Sequence, residues 1–323
     1  VWDVLKTSAG LLRDAFRFRA THVFLPEHVS VLRNAPALLI LRALGIPAVL
    51  RLANAPERGR FYDFLWGRIL PRLVTVMVAN SEFTRSRCLE AKIHPEMIQL
   101  IRNSVAQRNG LRPSDRDVLS LVRRARTLLV VGQIAPFKGT HFAVEAVLHL
   151  LERGANLQLA VVGDLPKWPP QTVEYLNAMR DDAVNHPFGD RIHFVGPCED
   201  VLSIMSESFL LLAPIVGEES FGNVVLEARS VGLPAVTFDR GGLPELVEDR
   251  KSGYVCRSAD LEGLLSGIEF FLEDPSTWAQ AREFCLRSMK DSASPYSPAA
   301  FERAWRAVFS TEPVEVAARG QTV

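Results

Sequence analysis

Short apolar runs rich in Val, Leu and Ile alternate with longer amphipathic segments along almost the whole chain, and this alternation constrains the fold most. A strand followed by a helix and another strand must cross over, and crossovers build parallel sheets covered by helices. The pattern predicts strands at 22–25, 48–52, 74–79 and 98–101, interleaved with helices over 5–20, 37–44, 61–73 and 82–91. In the first helix Leu11, Leu12, Ala15 and Phe16 fall inward and Arg13 and Arg17 outward. Ser81 stands where an N-cap belongs. A second α/β series starts at 128–131, with further strands at 157–162, 192–195, 209–213 and 235–238. Its helices are predicted over 140–153, 261–272 and 278–289, with a short one begun at Pro244. A final amphipathic helix over 298–309 carries Phe301, Trp305 and Val308.

A chain of 323 residues has room for two medium domains, each with its own core. The stretch 104–114, with Gly110 and Pro113, reads as the connection between them. The division expected is a first domain over 1–109, a linker over 110–117, a second domain over 118–296, and a closing helix over 297–310. The tail from 311 to 323 reads as disordered.

Hydrophobic residues make up 48% and charged residues 23%, the balance of a soluble globular protein. The longest apolar run, 209–216, is interrupted by Pro214 and is too short to span a bilayer. No secretory pattern opens the sequence, so cytoplasm is the expected compartment. Cys88, Cys198, Cys256 and Cys285 show no C-x-x-C spacing and read as core residues, not as disulfides or zinc ligands. The net charge of zero hides an asymmetry: residues 1–112 carry 17 Lys and Arg against 8 Asp and Glu, giving +9. Such a surface suits an anionic partner, either a phosphorylated acceptor or the inner face of a membrane; a complementary charge between domains explains it equally well. Arg13, Arg17, Arg19, Arg68 and Arg72 are the candidate contacts; Trp66 is either an interfacial anchor or, more commonly for a tryptophan, a core or cleft residue.

Chemistry concentrates in G-E-E-S-F-G-N-V-V-L-E over 217–227, where Glu219 and Glu227 bracket seven residues. Phe221 and Gly222 open a short helix that stops at Gly232, with Val224, Ala228 and Val231 as its predicted buried stripe. Glu227 borders that stripe and needs partners there, because burying an unpaired carboxylate is costly. Glu219 precedes the helix N-terminus, where backbone N–H groups attract anions, phosphates especially. Taken singly, Glu219 reads as a loop acid and Glu227 as a helix-face acid. Taken together they can grip hydroxyls at the two ends of a phosphorylated ligand.

Another element is V-G-Q-I-A-P-F-K-G over 131–139. A strand running into Gly132 and then a helix places phosphates at the C-terminal edge of a parallel sheet. Lys138 supplies a cation and Gly139 lets the backbone approach closely. It is not a P-loop, since Lys138 precedes its glycine. Alone it reads as a lysine in a surface loop. No G-x-G-x-x-G follows any strand, which argues against a dinucleotide oxidoreductase.

The E-x7-E run, preceded by A-P-I-V and continuing through S-V-G-L-P-A-V-T-F-D-R-G-G-L-P-E-L-V, resembles the donor-site signature of the retaining GT-B glycosyltransferases of the GT4-like group, the glycosyl transferases group 1. The resemblance implies two Rossmann-like parallel-sheet domains with a cleft between them. It implies a hexosyl-type transferase in polysaccharide biosynthesis, moving a sugar from a nucleoside diphosphate sugar to a glycan or lipid-linked acceptor. Retention of configuration follows from the resemblance alone. In that family the first Glu, here Glu219, contacts the transferred sugar, and the second, Glu227, holds the ribose. The 131–139 run then matches the family's G-R-x(4)-K-G element, with Gln133 where the family often has Arg. Phe221, Gly222 and Asn223 are implied at the donor, as are Cys198 of the V-G-P-C-E-D loop (195–200) and Gly242 of G-G-L-P-E (241–245).

On the acceptor side many relatives carry a His where Ala53 and Asn54 stand here. N-S-E-F-T-R (80–85) and I-R-N (101–103) resemble further family elements, which brings in Ser81 and Asn103; a helix cap and a strand end account for them equally well. No metal ligand set is recognisable, and no metal, cofactor or nucleic-acid partner is expected. Measured against the family, the first domain reads as truncated, since no G-x-G or G-G precedes Gly132. Three readings therefore stand: a glycosyltransferase, a non-catalytic donor-binding subunit or fragment, and a GT-B nucleotide-sugar epimerase.

Overall fold

A computed structural model describes residues 2–105, 116–164 and 171–310. The chain divides into two compact units, Val1–Asn103 with Ala299–Val323, and Ser104–Pro298. The expected linker over 110–117 falls largely outside the described residues, and Arg116 already begins a helix. The 311–323 tail also lies outside them.

In the first unit α1 (Trp2–Arg17), β1 (Val23–Leu25), α2 (His28–Arg33), α3 (Ala35–Ala43) and β2 (Ala48–Leu52) come first. α4 (Arg60–Phe64), α5 (Leu70–Leu73), β3 (Val76–Ala79), α6 (Glu82–Glu90) and β4 (Ile98–Leu100) follow. The four strands are parallel in the order β1-β2-β3-β4. Leu50, Leu52, Met77 and Ala79 turn to one face, against Leu38 and Leu41 of α3 and Leu70 of α5. Ser81 caps α6, accepting from Thr84 N at 2.9 Å.

Two sequence expectations fail in this unit, and an alternative left open at Trp66 is decided. Phe16 of α1 is 56% exposed, while Ala15 takes the inward position. The single helix expected over 61–73 is broken by a π-helical turn, Leu65–Ile69. Pro71 has no N–H to give the Gly67 carbonyl, so the regular ladder cannot continue there. Trp66 is 1% exposed and donates its indole N–H to Glu57 Oε2 at 3.1 Å, so it is a core residue and not an interfacial anchor.

The second unit holds α7 (Arg116–Val122), β5 (Arg126–Val131), α8 (Thr140–Glu152), β6 (Leu157–Val162), α9 (Gln171–Asn185), β7 (Ile192–Gly196) and α10 (Val201–Glu207). It continues with β8 (Leu210–Ala213), α11 (Asn223–Ser230), β9 (Ala235–Phe238), β10 (Gly253–Cys256), α12 (Leu261–Leu272) and α13 (Pro275–Lys290). All six strands are parallel, in the order β10-β9-β8-β5-β6-β7. The chain winds outward from β5 in both directions, so β5 and β8 flank the topological switch point. Alternate residues serve opposite faces: Leu128, Leu159 and Leu210 meet α8 and α12, while Leu129, Ala160 and Leu211 meet α7, α10 and α11. Both faces are thus buried, which is why these strands read as unbroken apolar runs.

The stripe expected on α11 is rotated. Val225, Leu226, Ala228 and Arg229 are buried, whereas Val224 and Val231 are only half-buried. Helix α14 (Pro298–Ser310) returns to the first unit, where Val308, Phe301 and Trp305 pack with Val49 and Val78 on the second face of the four-stranded sheet. Among the described residues no helix is long and apolar enough to cross a membrane. Cys88, Cys256 and Cys285 are buried free thiols, each pushed up to about 12 by burial and so protonated at neutral pH.

Candidate donor site at the switch point

The loops leaving β5 and β8 meet through their backbones. After Val131 the chain turns at Gly132 (φ 136°) and makes one 3₁₀ turn, Pro136–Lys138, before α8. Gly139 (φ 69°) is required there: a Cβ at this position would lie 1.9 Å from the Pro214 carbonyl oxygen. On the other side Val216 N and Gly217 N donate to the Phe137 carbonyl at 3.0 and 3.2 Å. This zipped pair of loops fixes Lys138 beside Glu219.

Lys138 Nζ donates to Glu219 Oε2 at 2.6 Å, across 81 residues of sequence. Their side chains are 25% and 23% exposed, so the pair is partly shielded and still open to water and solutes. The ammonium also lies 5.3 Å from the centroid of the Phe137 ring. The backbone of Glu219 is held from below, its carbonyl accepting from Gly242 N at 2.7 Å. Gly241 (φ 59°) makes that approach possible, since a Cβ there would fall 2.1 Å from the same oxygen.

Helix α11 then starts from Gly222 (φ 96°) as N-cap, with Asn223 exposed at its first position. Phe221 is 2% exposed and packs toward Tyr296, their ring centroids 6.3 Å apart. Glu227 sits one turn further along α11 and is half-buried. Gln133 is exposed on the β5 loop. Cys198 lies beyond the end of β7, with β6 between that strand and β5, and is half-buried against the core. The three acceptor-side candidates belong to the first unit. Asn54 is exposed after β2, Ser81 is the buried cap of α6, and Asn103 accepts from Arg51 at 3.3 Å.

Two residues that the sequence does not flag support this site. The hydroxyl of Tyr175 on α9 accepts from His141 N at 3.0 Å and meets His141 Nδ1 at 2.8 Å, tying α9 to the first turn of α8. Burial holds His141 below the usual histidine range, and so neutral at pH 7, leaving a ring nitrogen to accept from that hydroxyl. The other is Arg229, 7% exposed on α11 although it lies off the stripe expected at Val224, Ala228 and Val231. Among the described residues no group of three or more His, Cys, Asp or Glu is arranged to hold a metal ion.

Residues 125–274, the six-stranded sheet from β5 through α12, match the family described as Glycosyl transferases group 1. That stretch is similar to a group 1 glycosyltransferase domain. Glycogen synthase of Mycobacterium tuberculosis is 28% identical to the chain over 267 residues, covering 78% of this chain and 60% of that protein. D-inositol 3-phosphate glycosyltransferase of Corynebacterium efficiens is 31% identical over 166 residues, covering 50% of this chain and 38% of that protein. The chain therefore spans less than two thirds of the length of these curated relatives. Among solved structures, Anabaena HepE in complex with UDP superposes with a TM-score of 0.80 at 18% identity, covering 94% of this chain and 81% of that one. Sucrose-phosphate synthase of Thermosynechococcus elongatus gives 0.75 at 18% identity, covering 95% and 78%. At such identities the likeness is one of fold: two Rossmann-like parallel-sheet units, the GT-B architecture.

Proposed function

We propose that the chain transfers a sugar from a nucleoside diphosphate sugar to a glycan or lipid-linked acceptor, with retention of configuration and without a metal. The observation that carries this reading is the Lys138–Glu219 pair at the switch point of a Rossmann-like sheet, beside the N-terminus of α11. A diphosphate entering there offers Lys138 a stronger anion than one carboxylate. Lys138 then neutralises charge on the leaving nucleoside diphosphate, assisted by backbone N–H groups at Gly222 and Asn223. Glu219, released from the ammonium, accepts from a hydroxyl of the transferred sugar, and Glu227 accepts from the ribose. Retention rests on the family resemblance. HepE with UDP-glucose and pneumococcal GtfA with UDP and GlcNAc are structural neighbours whose ligands fit the same donor class.

Metal independence has a direct check. Hydrolysis or transfer of a nucleoside diphosphate sugar is expected to persist in excess EDTA, because fixed cations and amides supply the charge stabilisation. Activity lost in EDTA and restored only by Mg²⁺ or Mn²⁺ contradicts it. A second reading, a subunit that binds donor without turnover, is favoured by the exposed Asn54 where an imidazole is common. Donor binding without any donor hydrolysis is its signature.

The basic first unit is proposed to meet an anionic membrane surface or phosphate-bearing acceptor. Leu5, Phe16 and Phe18 on and just beyond α1 are 53%, 56% and 71% exposed, among Arg13, Arg17 and Arg19. Co-sedimentation with anionic vesicles should be strong at low salt and fade as the Debye length falls below about 8–10 Å. Equal partitioning to neutral vesicles, or none at low salt, removes the lipid half of the proposal.

A further inference from the structure

Arg229 is a charge buried in the signature helix. It is 7% exposed, and its fork of donors is met on three sides. Nε donates to Ser288 Oγ of α13 at 3.0 Å, one Nη to the Leu246 carbonyl at 3.0 Å, and the other to Glu248 Oε1 at 2.9 Å. The rings of Phe284 and Tyr296 each lie 5.9 Å from the guanidinium carbon. A buried guanidinium is tolerated only when its N–H groups find such partners, and a lysine cannot reproduce the planar fork.

Two routes lead from this residue to the donor site. Along α11, Glu227 lies two residues back. Through space, Leu246 closes the short turn Leu243–Glu245, and Gly242 just before that turn donates to the Glu219 carbonyl. Tyr296, beneath the guanidinium, reinforces the second route by donating to the Glu245 carbonyl at 2.8 Å and packing toward Phe221. Arg229 is thus joined to the supports of both carboxylates. We infer that Arg229 is a positioning residue that fixes Glu219 and Glu227 relative to each other, and so sets how tightly a nucleoside diphosphate sugar is held at its two ends. This rests on the donor-site reading above.

The experiment is calorimetry of the full chain with UDP, ADP and GDP, on the wild type and on Arg229→Lys, Arg229→Met and Glu248→Gln, each also made in a Glu227→Gln background. Glu248 is 48% exposed, so its amide variant tests the network even if Arg229→Met fails to fold. Arg229→Lys is expected to weaken nucleoside diphosphate binding about tenfold and Glu248→Gln about two- to fivefold, and either change should cost much less once Glu227 is already Gln. That non-additivity is what a purely structural role does not produce. Wild-type binding unmoved by every variant, or losses of equal size in both backgrounds, overturns the positioning role while leaving the donor site intact. A wild type that binds none of the three nucleotides overturns the donor-site reading, and this inference with it.

Discussion

Lys138→Ala should lower kcat/KM for a nucleoside diphosphate sugar by about 10²–10³-fold, the usual cost of removing one charge-stabilising donor from an active site. The substitution acts twice. It deletes the ammonium that meets the diphosphate, and it leaves the Glu219 carboxylate, now without its 2.6 Å partner, to repel that diphosphate. Gln133, exposed on the same loop, brings no charge to share the load. Lys138 and Glu219 both keep contact with water, so the fold itself should be little affected and the thermal midpoint nearly unchanged. Steady-state kinetics with and without EDTA checks this, and the loss should be the same in both. A variant that keeps wild-type kcat/KM removes Lys138 from the chemistry.

Glu227→Gln is expected to weaken nucleoside diphosphate binding by about 1–3 kcal/mol, the scale of a charged hydrogen bond lost from a shielded site. Glu227 is half-buried on α11 beside the fully buried Leu226 and Ala228, so a ribose hydroxyl meets it in a partly dry setting where a charge counts for more than in water. The ribose assignment adds a second comparison. A 2′,3′-dideoxynucleoside diphosphate should bind the wild type more weakly than its ribo counterpart, and the Gln variant should distinguish the two far less. Calorimetry returning equal affinities for wild type and variant leaves Glu227 an ordinary helix-face acid.

How far the sequence discloses the fold depends on where stabilisation is local. Strands 48–52, 157–162 and 235–238 and helix 261–272 are read to the residue, because apolar runs end there at turn formers or at an N-cap such as Asp260, which accepts from Gly263 N at 2.8 Å. β10 escapes notice: it is four residues long, opens with Gly253, sits at the sheet edge, and draws its pairing from β9. α11 is predicted as a helix, yet its buried face is misjudged. Arg229 looks like a solvent-facing charge until Ser288, Leu246 and Glu248 are brought to it from later in the chain. The motifs name Lys138 and Glu219 separately as site residues. Their contact is a property of strand order, since only the adjacency of β5 and β8 brings residues 81 apart to one spot. Phe16 shows the reverse error: helical periodicity assigns it inward, but the core of the first unit takes in Ala15 and leaves the larger ring 56% exposed.

The most direct test of the switch-point site is a crystal structure of the chain with a nucleoside diphosphate bound. Lys138 Nζ should have left Glu219 Oε2 for a diphosphate oxygen at about 2.7–2.9 Å, the length of a charge-assisted hydrogen bond, with the ribose hydroxyls on Glu227. A nucleotide bound with the Lys138–Glu219 pair intact, or seated away from the C-terminal ends of β5 and β8, contradicts the proposed site.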